Sequence, residues 1–240
     1  MKFSKIVGFG DSWMWGDELI DPQLRDRVDA HPVLESNTPY RQSHCFLGLL
    51  GQHYQVPVEN FGIAGGSVQS AIWTYLYWLE HEELDVNRCL ILVAHTDGRR
   101  FSHYNPHHAW AKNDPPWNKF VHSSWVWSGN SVYNDNWNTL IKNQTALTTS
   151  VELDQLNYRH AVEFFHGQSH EKMLLQFCSM PPQIHLDKKS LIWPDQGLGQ
   201  RLRERDDRAL FAPNGHPSEL GHKVIAEDLI SEVDRVIITR

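Results

Sequence analysis

Three short apolar runs predict buried β-strands, and one short β-prone stretch predicts a further strand. The first begins at Phe3 and continues through Ile6, Val7 and Phe9. The others cover residues 56–61, 89–94 and 173–178. The last two runs are almost continuously apolar, which is typical of strands covered on both faces, as in a parallel sheet.

Between these runs, apolar residues recur at helical spacing and predict helices. The predicted helices cover residues 40–54, 67–81 (with Ser67 as N-cap), 137–166 with a break near 148–150, a short stretch at 22–29, and a closing segment through Val224 and Val233. The remaining parts of 13–39, together with 98–137 and 183–212, lack a period and are predicted to be irregular.

The alternation of strands and helices indicates an α/β protein with a parallel sheet between two helical layers. Right-handed crossovers bring the carboxyl ends of all the strands to one edge. We predict a single domain over residues 1–240, with a Trp- and His-rich insertion at about 98–137. A loop this long inside a compact domain is usually functional.

Composition excludes several partners. A net charge of −7 disfavours nucleic acid, which requires a basic face. The sequence contains no apolar run near the ~20 residues that a membrane span requires. We expect no secretory signal, because Gly8 to Asp11 follow the basic start where the apolar region of a signal peptide would lie. Cys45, Cys89 and Cys178 are far apart and are expected to be buried core residues. We therefore expect a cytoplasmic protein.

Candidate chemistry begins where the first strand ends, at Gly10-Asp11-Ser12. A serine at the carboxyl edge of a parallel sheet is positioned to meet a ligand. It becomes a nucleophile only if a base reaches it; otherwise Asp11-Ser12 is simply a helix cap. His216, which precedes the closing helix, is expected at the same edge of the sheet.

Three blocks in this order resemble the SGNH/GDSL hydrolase family: residues 10–12, residues 60–67 (Asn-Phe-Gly-Ile-Ala-Gly-Gly-Ser) and residues 215–222 (Gly-His-Pro-Ser-Glu-Leu-Gly-His). The resemblance implies a three-layer α/β/α sandwich with a mainly parallel, flavodoxin-like sheet. It implies Ser12 as nucleophile and His216 as base. It also implies an oxyanion hole that includes the Ser12 and Gly65 N–H groups, and chemistry that needs no cofactor.

Two positions depart from the family pattern. Thr96 stands where an Asn side chain would complete the oxyanion hole, with the neighbouring His95 as an alternative donor. Pro213 stands where an Asp would orient the histidine. Asn214 lies beside that position and is a candidate to hydrogen-bond His216. A backbone carbonyl or a distant carboxylate is the alternative, with Asp195, Asp206 and Asp207 as the candidates. The sequence thus predicts a Ser-His dyad or triad.

Other candidates have simpler interpretations. The insertion contains His103, His107, His108 and His122, but their spacing does not support a metal site. Its tryptophans favour local packing over a platform for sugar rings. The acidic pair Asp17-Glu18 is expected to be a loop exposed to water, with a cation site as the alternative.

The leading hypothesis is a serine esterase that cleaves a carboxylic ester, such as an O-acetyl group on a glycan or small molecule. The alternative is a catalytically impaired member that binds carbohydrate or serves as a virion structural protein. The loop at 16–19 also resembles uncharacterised bacteriophage members of the family, which would place the protein in a virion or in the host cytoplasm. The oligomeric state is left open.

Overall fold

The computed structural model describes residues 3–26, 35–82, 85–98, 100, 102–104, 120–122, 139, 151–169, 172–179 and 191–238. The strands are β1 (Lys5–Gly10), β2 (Val58–Gly62), β3 (Cys89–His95), β4 (Ser102–Tyr104), β5 (Phe120–His122) and β6 (Met173–Cys178). The helices are α1 (Ser12–Trp15), α2 (Thr38–His44), α3 (Phe46–Tyr54), α4 (Val68–His81), α5 (Val151–Gln168), α6 (Leu198–Arg203) and α7 (Glu219–Val233).

A parallel sheet with the strand order β2-β1-β3-β6 is the centre of the fold. Every residue of β3 is buried, as the continuous apolar run predicts. Alternate side chains of the strands enter two cores. Ile6 and Leu92 pack with α3, α6 and α7 on one face. Val7 and Val93 pack with α4 and α5 on the other. The predicted three-layer α/β/α sandwich with a flavodoxin-like sheet is confirmed.

The predicted helix at 40–54 is wrong in one respect, because it is two helices. Cys45 adopts an extended conformation between α2 and α3. The ring Nδ1 of His222, at 3.1 Å, then accepts the Phe46 N–H at the start of α3. A side chain from α7 therefore stabilises a corner that local periodicity could not indicate.

Other boundaries also differ. Residues 22–26 form turns and not the start of a helix, because the Asp21 side chain accepts the Gln23 N–H at 2.9 Å. The segment predicted to be irregular at 183–212 contains α6, whose Leu198 and Leu202 are buried in the core. Within the insertion, β4 and β5 form a short antiparallel pair.

Several sequence predictions concern residues outside those described. Most of the insertion, including its tryptophans, is among them, as is most of 137–150. The structure likewise describes no side chain of the four insertion histidines. Among the described residues, none of the helices is long and apolar enough to cross a membrane.

Candidate active site

The sheet register brings three loops to one edge. Phe9 of β1 pairs with Val93 of β3, and Ser12 and Thr96 each follow three residues later. On the other side, Gly10 pairs with Gly62 of β2, three residues before Gly65. Ser12, Gly65 and Thr96, the candidate nucleophile and oxyanion donors, therefore follow neighbouring strands at equivalent positions beyond the sheet edge.

Ser12 is the first residue of α1, and Asp11 is the N-cap of that helix. The Asp11 side chain accepts the Trp13 N–H at 3.1 Å and the Ser179 hydroxyl at 3.0 Å. The two sequence interpretations are therefore compatible, because Asp11 performs the capping and leaves the Ser12 side chain for other contacts. An N–H in the first turn of a helix has no acceptor within the helix, as the oxyanion role of the Ser12 N–H requires.

The imidazole of His216 lies beside Ser12. Its Nε2 is 2.9 Å from Ser12 Oγ. His216 follows a tight turn in which Gly215 adopts a left-handed conformation (φ 88°) and donates to the Ala212 carbonyl at 2.9 Å. The next helix, α7, starts from the N-cap Ser218, which accepts the Gly221 N–H. The turn and the helix start together fix the ring at the sheet edge.

The far nitrogen of the ring contacts a carboxylate. His216 Nδ1 is 3.1 Å from Glu18 Oε2, and the His216 backbone N–H donates to the same oxygen at 3.2 Å. An ionised carboxylate can only accept hydrogen bonds, so this contact favours the neutral tautomer with the proton on Nδ1 and the Nε2 lone pair towards Ser12. Only about 13% of the Glu18 side chain is exposed. The expectation that Asp17-Glu18 is an exposed loop is therefore wrong for Glu18.

Asn214 does not orient His216 directly, contrary to the sequence hypothesis. Its backbone N–H and its side-chain Nδ2 both donate to Glu18 Oε1, at 3.0 Å each. With the two His216 contacts, all four acceptor positions of the carboxylate are used. The distant acids are wrong as well: Asp207 caps the short 3₁₀ helix Arg208–Leu210, and Asp195 and Asp206 are exposed.

The backbone of residues 16–18 explains why Glu18 arrives at this position. Gly16 ends α1 in a left-handed conformation (φ 85°), where it and Asp17 both donate to the Ser12 carbonyl. Glu18 also has a positive φ of 65°, which is uncommon for a residue with a side chain. Such conformations persist where the surroundings fix them, often at functional sites. The sequence signal for Glu18 was its closeness to Ser12, six residues away.

The remaining candidates differ in their surroundings. Gly65 has φ 75° within a turn closed by the Gly66 N–H and the Ile63 carbonyl, a conformation that favours glycine. Thr96 is 2% exposed, and its hydroxyl has no hydrogen-bond partner among the described residues. A buried hydroxyl without a partner is costly, and an oxyanion would satisfy it.

His95 cannot replace Thr96 as a donor. It is fully buried below the edge, with Nε2 2.7 Å from Gln176 Oε1 on β6. Burial lowers the pKa of His95 to about 4, and the Gln176 hydrogen bond opposes this shift only in part. The ring is therefore a neutral core group that faces the α5 side of the sheet, next to Phe165.

The part of the chain that is described contains no group of three or more side chains able to hold a metal ion. The side chains of the insertion histidines are outside that part.

No family model and no curated protein matches the chain. Among solved structures, it is similar to a member of the lipolytic G-D-S-L family from Veillonella parvula (15% identity, 98% of each chain, TM-score 0.45). It is also similar to an acetylxylan esterase from Geobacillus stearothermophilus (12% identity, 97% of this chain and 96% of that chain, TM-score 0.43). A third is a putative arylesterase from Agrobacterium tumefaciens (14% identity, 98% of this chain and 100% of that chain, TM-score 0.43). By its own strand order and edge loops, the chain resembles the SGNH/GDSL hydrolases in fold.

Proposed function

We propose that this protein is a serine esterase in which Ser12 is the nucleophile and His216 the general base. The observation that carries the proposal is the 2.9 Å contact between Ser12 Oγ and His216 Nε2. A free serine hydroxyl is a poor nucleophile and requires a base at hydrogen-bond distance. When the His216 Nδ1–H group donates a hydrogen bond to Glu18, Nε2 is left as the acceptor. This is the tautomer that a general base requires.

In the proposed reaction, the Ser12 hydroxyl attacks the ester carbonyl and gives its proton to His216 Nε2. The tetrahedral oxyanion receives hydrogen bonds from the Ser12 and Gly65 N–H groups and from the Thr96 hydroxyl. Its collapse breaks the bond to the alcohol oxygen, which takes the proton from Nε2. Water repeats these steps on the acyl-serine and releases the acid. Such donors typically contribute about 10²–10³ each in rate.

Glu18 is the third member of the proposed triad. It holds the imidazole through Nδ1 and stabilises the imidazolium that forms after proton transfer. Two departures from the family pattern, Thr96 for an Asn and Pro213 for an Asp, motivated the alternative of an impaired binding or structural protein. The carboxylate at Nδ1 supplies an acid in place of the missing Asp and favours the esterase.

The substrate that we propose is an acetyl ester of a small alcohol or of a sugar hydroxyl. The experiment compares hydrolysis of p-nitrophenyl acetate and of an O-acetylated oligosaccharide by the wild type and by Ser12→Ala. Ser231→Ala, an exposed position on α7, is the control. We expect Ser12→Ala to lose at least about 10³-fold in kcat while the control keeps it. Equal, background-level turnover by all three proteins on both esters contradicts the proposal and supports the binding protein.

A further inference from the structure

A second carboxylate lies near the other nitrogen of the His216 ring. Asp17 Oδ2 is 3.6 Å from His216 Nε2, the same atom that contacts Ser12 Oγ. About 26% of the Asp17 side chain is exposed, twice the fraction for Glu18. Glu18 therefore faces the rear of the ring, and Asp17 faces the side on which a substrate must bind.

The position of Asp17 is fixed by its neighbours. Its backbone N–H donates to the Ser12 carbonyl at 3.0 Å, which ties it to the candidate nucleophile. Its Oδ1 accepts the Glu18 N–H at 3.0 Å, so this oxygen is directed to the loop and Oδ2 to Nε2. The nearby Arg41 guanidinium stacks 3.8 Å from the Trp15 ring centre and donates to the Trp15 carbonyl, and its positive charge also attracts the Asp17 carboxylate.

This geometry restricts what can leave the site. In ester cleavage, the leaving oxygen takes its proton from Nε2 and must lie about 3 Å from it. That oxygen is then no more than about 7 Å from Asp17 Oδ2. A group on the neighbouring carbon of the leaving alcohol is three bonds away from that oxygen, so it can lie closer to Asp17 Oδ2 or farther from it. A negative charge there meets a fixed carboxylate in a site partly shielded from water, where repulsion is stronger than in bulk solvent.

We propose that Asp17 selects the leaving alcohol, an inference that rests on the proposed esterase function. It disfavours alcohols with a negative charge near the ester oxygen. It favours alcohols with a hydroxyl on the adjacent carbon, which donates a charge-assisted hydrogen bond to Oδ2. The preferred class is thus acetylated polyols, including sugars with a free neighbouring hydroxyl.

The test uses two matched pairs of acetyl esters and the variant Asp17→Asn, which keeps the side-chain shape and the Oδ1 acceptor. One pair is phenyl acetate and 3-acetoxybenzoate, which differ by a negative charge on the leaving group. The other is propyl acetate and ethylene glycol monoacetate, which differ by a hydroxyl. Glu227→Gln, an exposed position on α7, removes the same charge elsewhere.

In the wild type we expect kcat/KM to be lower for 3-acetoxybenzoate than for phenyl acetate, by roughly tenfold at low salt. Asp17→Asn should remove most of this difference, and high salt should reduce it in the wild type. The preference for the glycol ester over propyl acetate should also fall several-fold in Asp17→Asn and persist in Glu227→Gln.

If Asp17→Asn slows all four esters by one factor, Asp17 acts through His216 and the inference is overturned. The inference is also overturned if Asp17→Asn leaves both the rates and the kcat/KM ratios within each pair of esters as they are in the wild type. Failure of the esterase proposal itself gives a different result, because Ser12→Ala and the wild type would then hydrolyse the four esters at equal rates.

Discussion

Asn214 donates two hydrogen bonds of 3.0 Å to one oxygen of Glu18, across 196 residues of sequence. Asn214, which follows Pro213, thus holds a carboxylate that comes from the loop after Ser12. The contact joins the two ends of the chain at the candidate site. It also explains how a histidine block with Pro213 in place of an acid can still have a carboxylate at His216 Nδ1.

Glu18→Gln tests this carboxylate directly. The amide keeps the shape but loses the charge that stabilises the imidazolium. Its NH₂ group also cannot accept the hydrogen bonds that Asn214 or His216 donates to that oxygen. We expect kcat on p-nitrophenyl acetate to fall by about 10²–10⁴-fold with little change in KM. Glu227→Gln is the charge-matched control, and a loss below threefold in Glu18→Gln would contradict the triad.

Asn214→Ala removes one of the two donors to Glu18 Oε1 and leaves the backbone N–H. A hydrogen bond to a charged group is worth about 1.5 kcal/mol, and this one supports the carboxylate and touches no reacting atom, so kcat should fall by at most about tenfold. The same change in a Glu18→Gln background should cost much less, because the carboxylate that it supports is already absent. Equal losses in both backgrounds would show that Asn214 acts independently of Glu18.

Thr96→Val should separate activity from stability. The Thr96 hydroxyl is buried without a partner among the described residues, and valine has the same shape. We expect the free energy of unfolding to stay constant or rise by about 1 kcal/mol, while kcat falls by about 10–10³-fold. Thr74→Val is the matched control, because its buried hydroxyl donates to the Ser70 carbonyl and its loss should reduce stability. Unchanged kcat in Thr96→Val excludes the oxyanion role.

Two buried histidines should make the fold sensitive to acid. Burial lowers the pKa of His95 to about 4 and that of His222 to about 3. Unfolded histidine has a pKa near 6.5, so between these values the unfolded chain binds protons that the folded chain excludes. The free energy of unfolding should fall as pH decreases below about 6.5, by about 1.4 kcal/mol per pH unit for each histidine.

Urea unfolding at pH 7, 6 and 5 measures this slope. His222→Asn should remove about half of the histidine contribution, and His160→Asn, an exposed position, should leave it unchanged. An equally steep slope in His222→Asn would assign the acid sensitivity to other groups.

The sheet could be predicted from sequence because burial on both faces leaves continuous apolar runs, as in β3, where the predicted and observed bounds differ by one residue. The corner at Cys45 could not, since it depends on the ring of His222, which contacts Phe46 across 176 residues of sequence.

The candidate site likewise contains residues that the sequence predicted and one that it did not. Ser12 and His216 each lie in a local motif, and the structure brings them into contact. Glu18 was missed because its role depends on a left-handed turn and on donors from Asn214, neither of which a local pattern records. The single-domain prediction and the cytoplasmic location stay predictions.

The short helix α1 and its glycine turn have one further consequence. Ser12 begins that helix and Glu18 follows the turn that ends it, so seven consecutive residues hold both the candidate nucleophile and its acid. Each helical residue rotates the chain by about 100°. A single insertion or deletion between positions 13 and 17 would therefore turn the carboxylate away from His216 without altering any residue that touches it. The length of this segment is as strict a requirement of the site as the identity of its side chains.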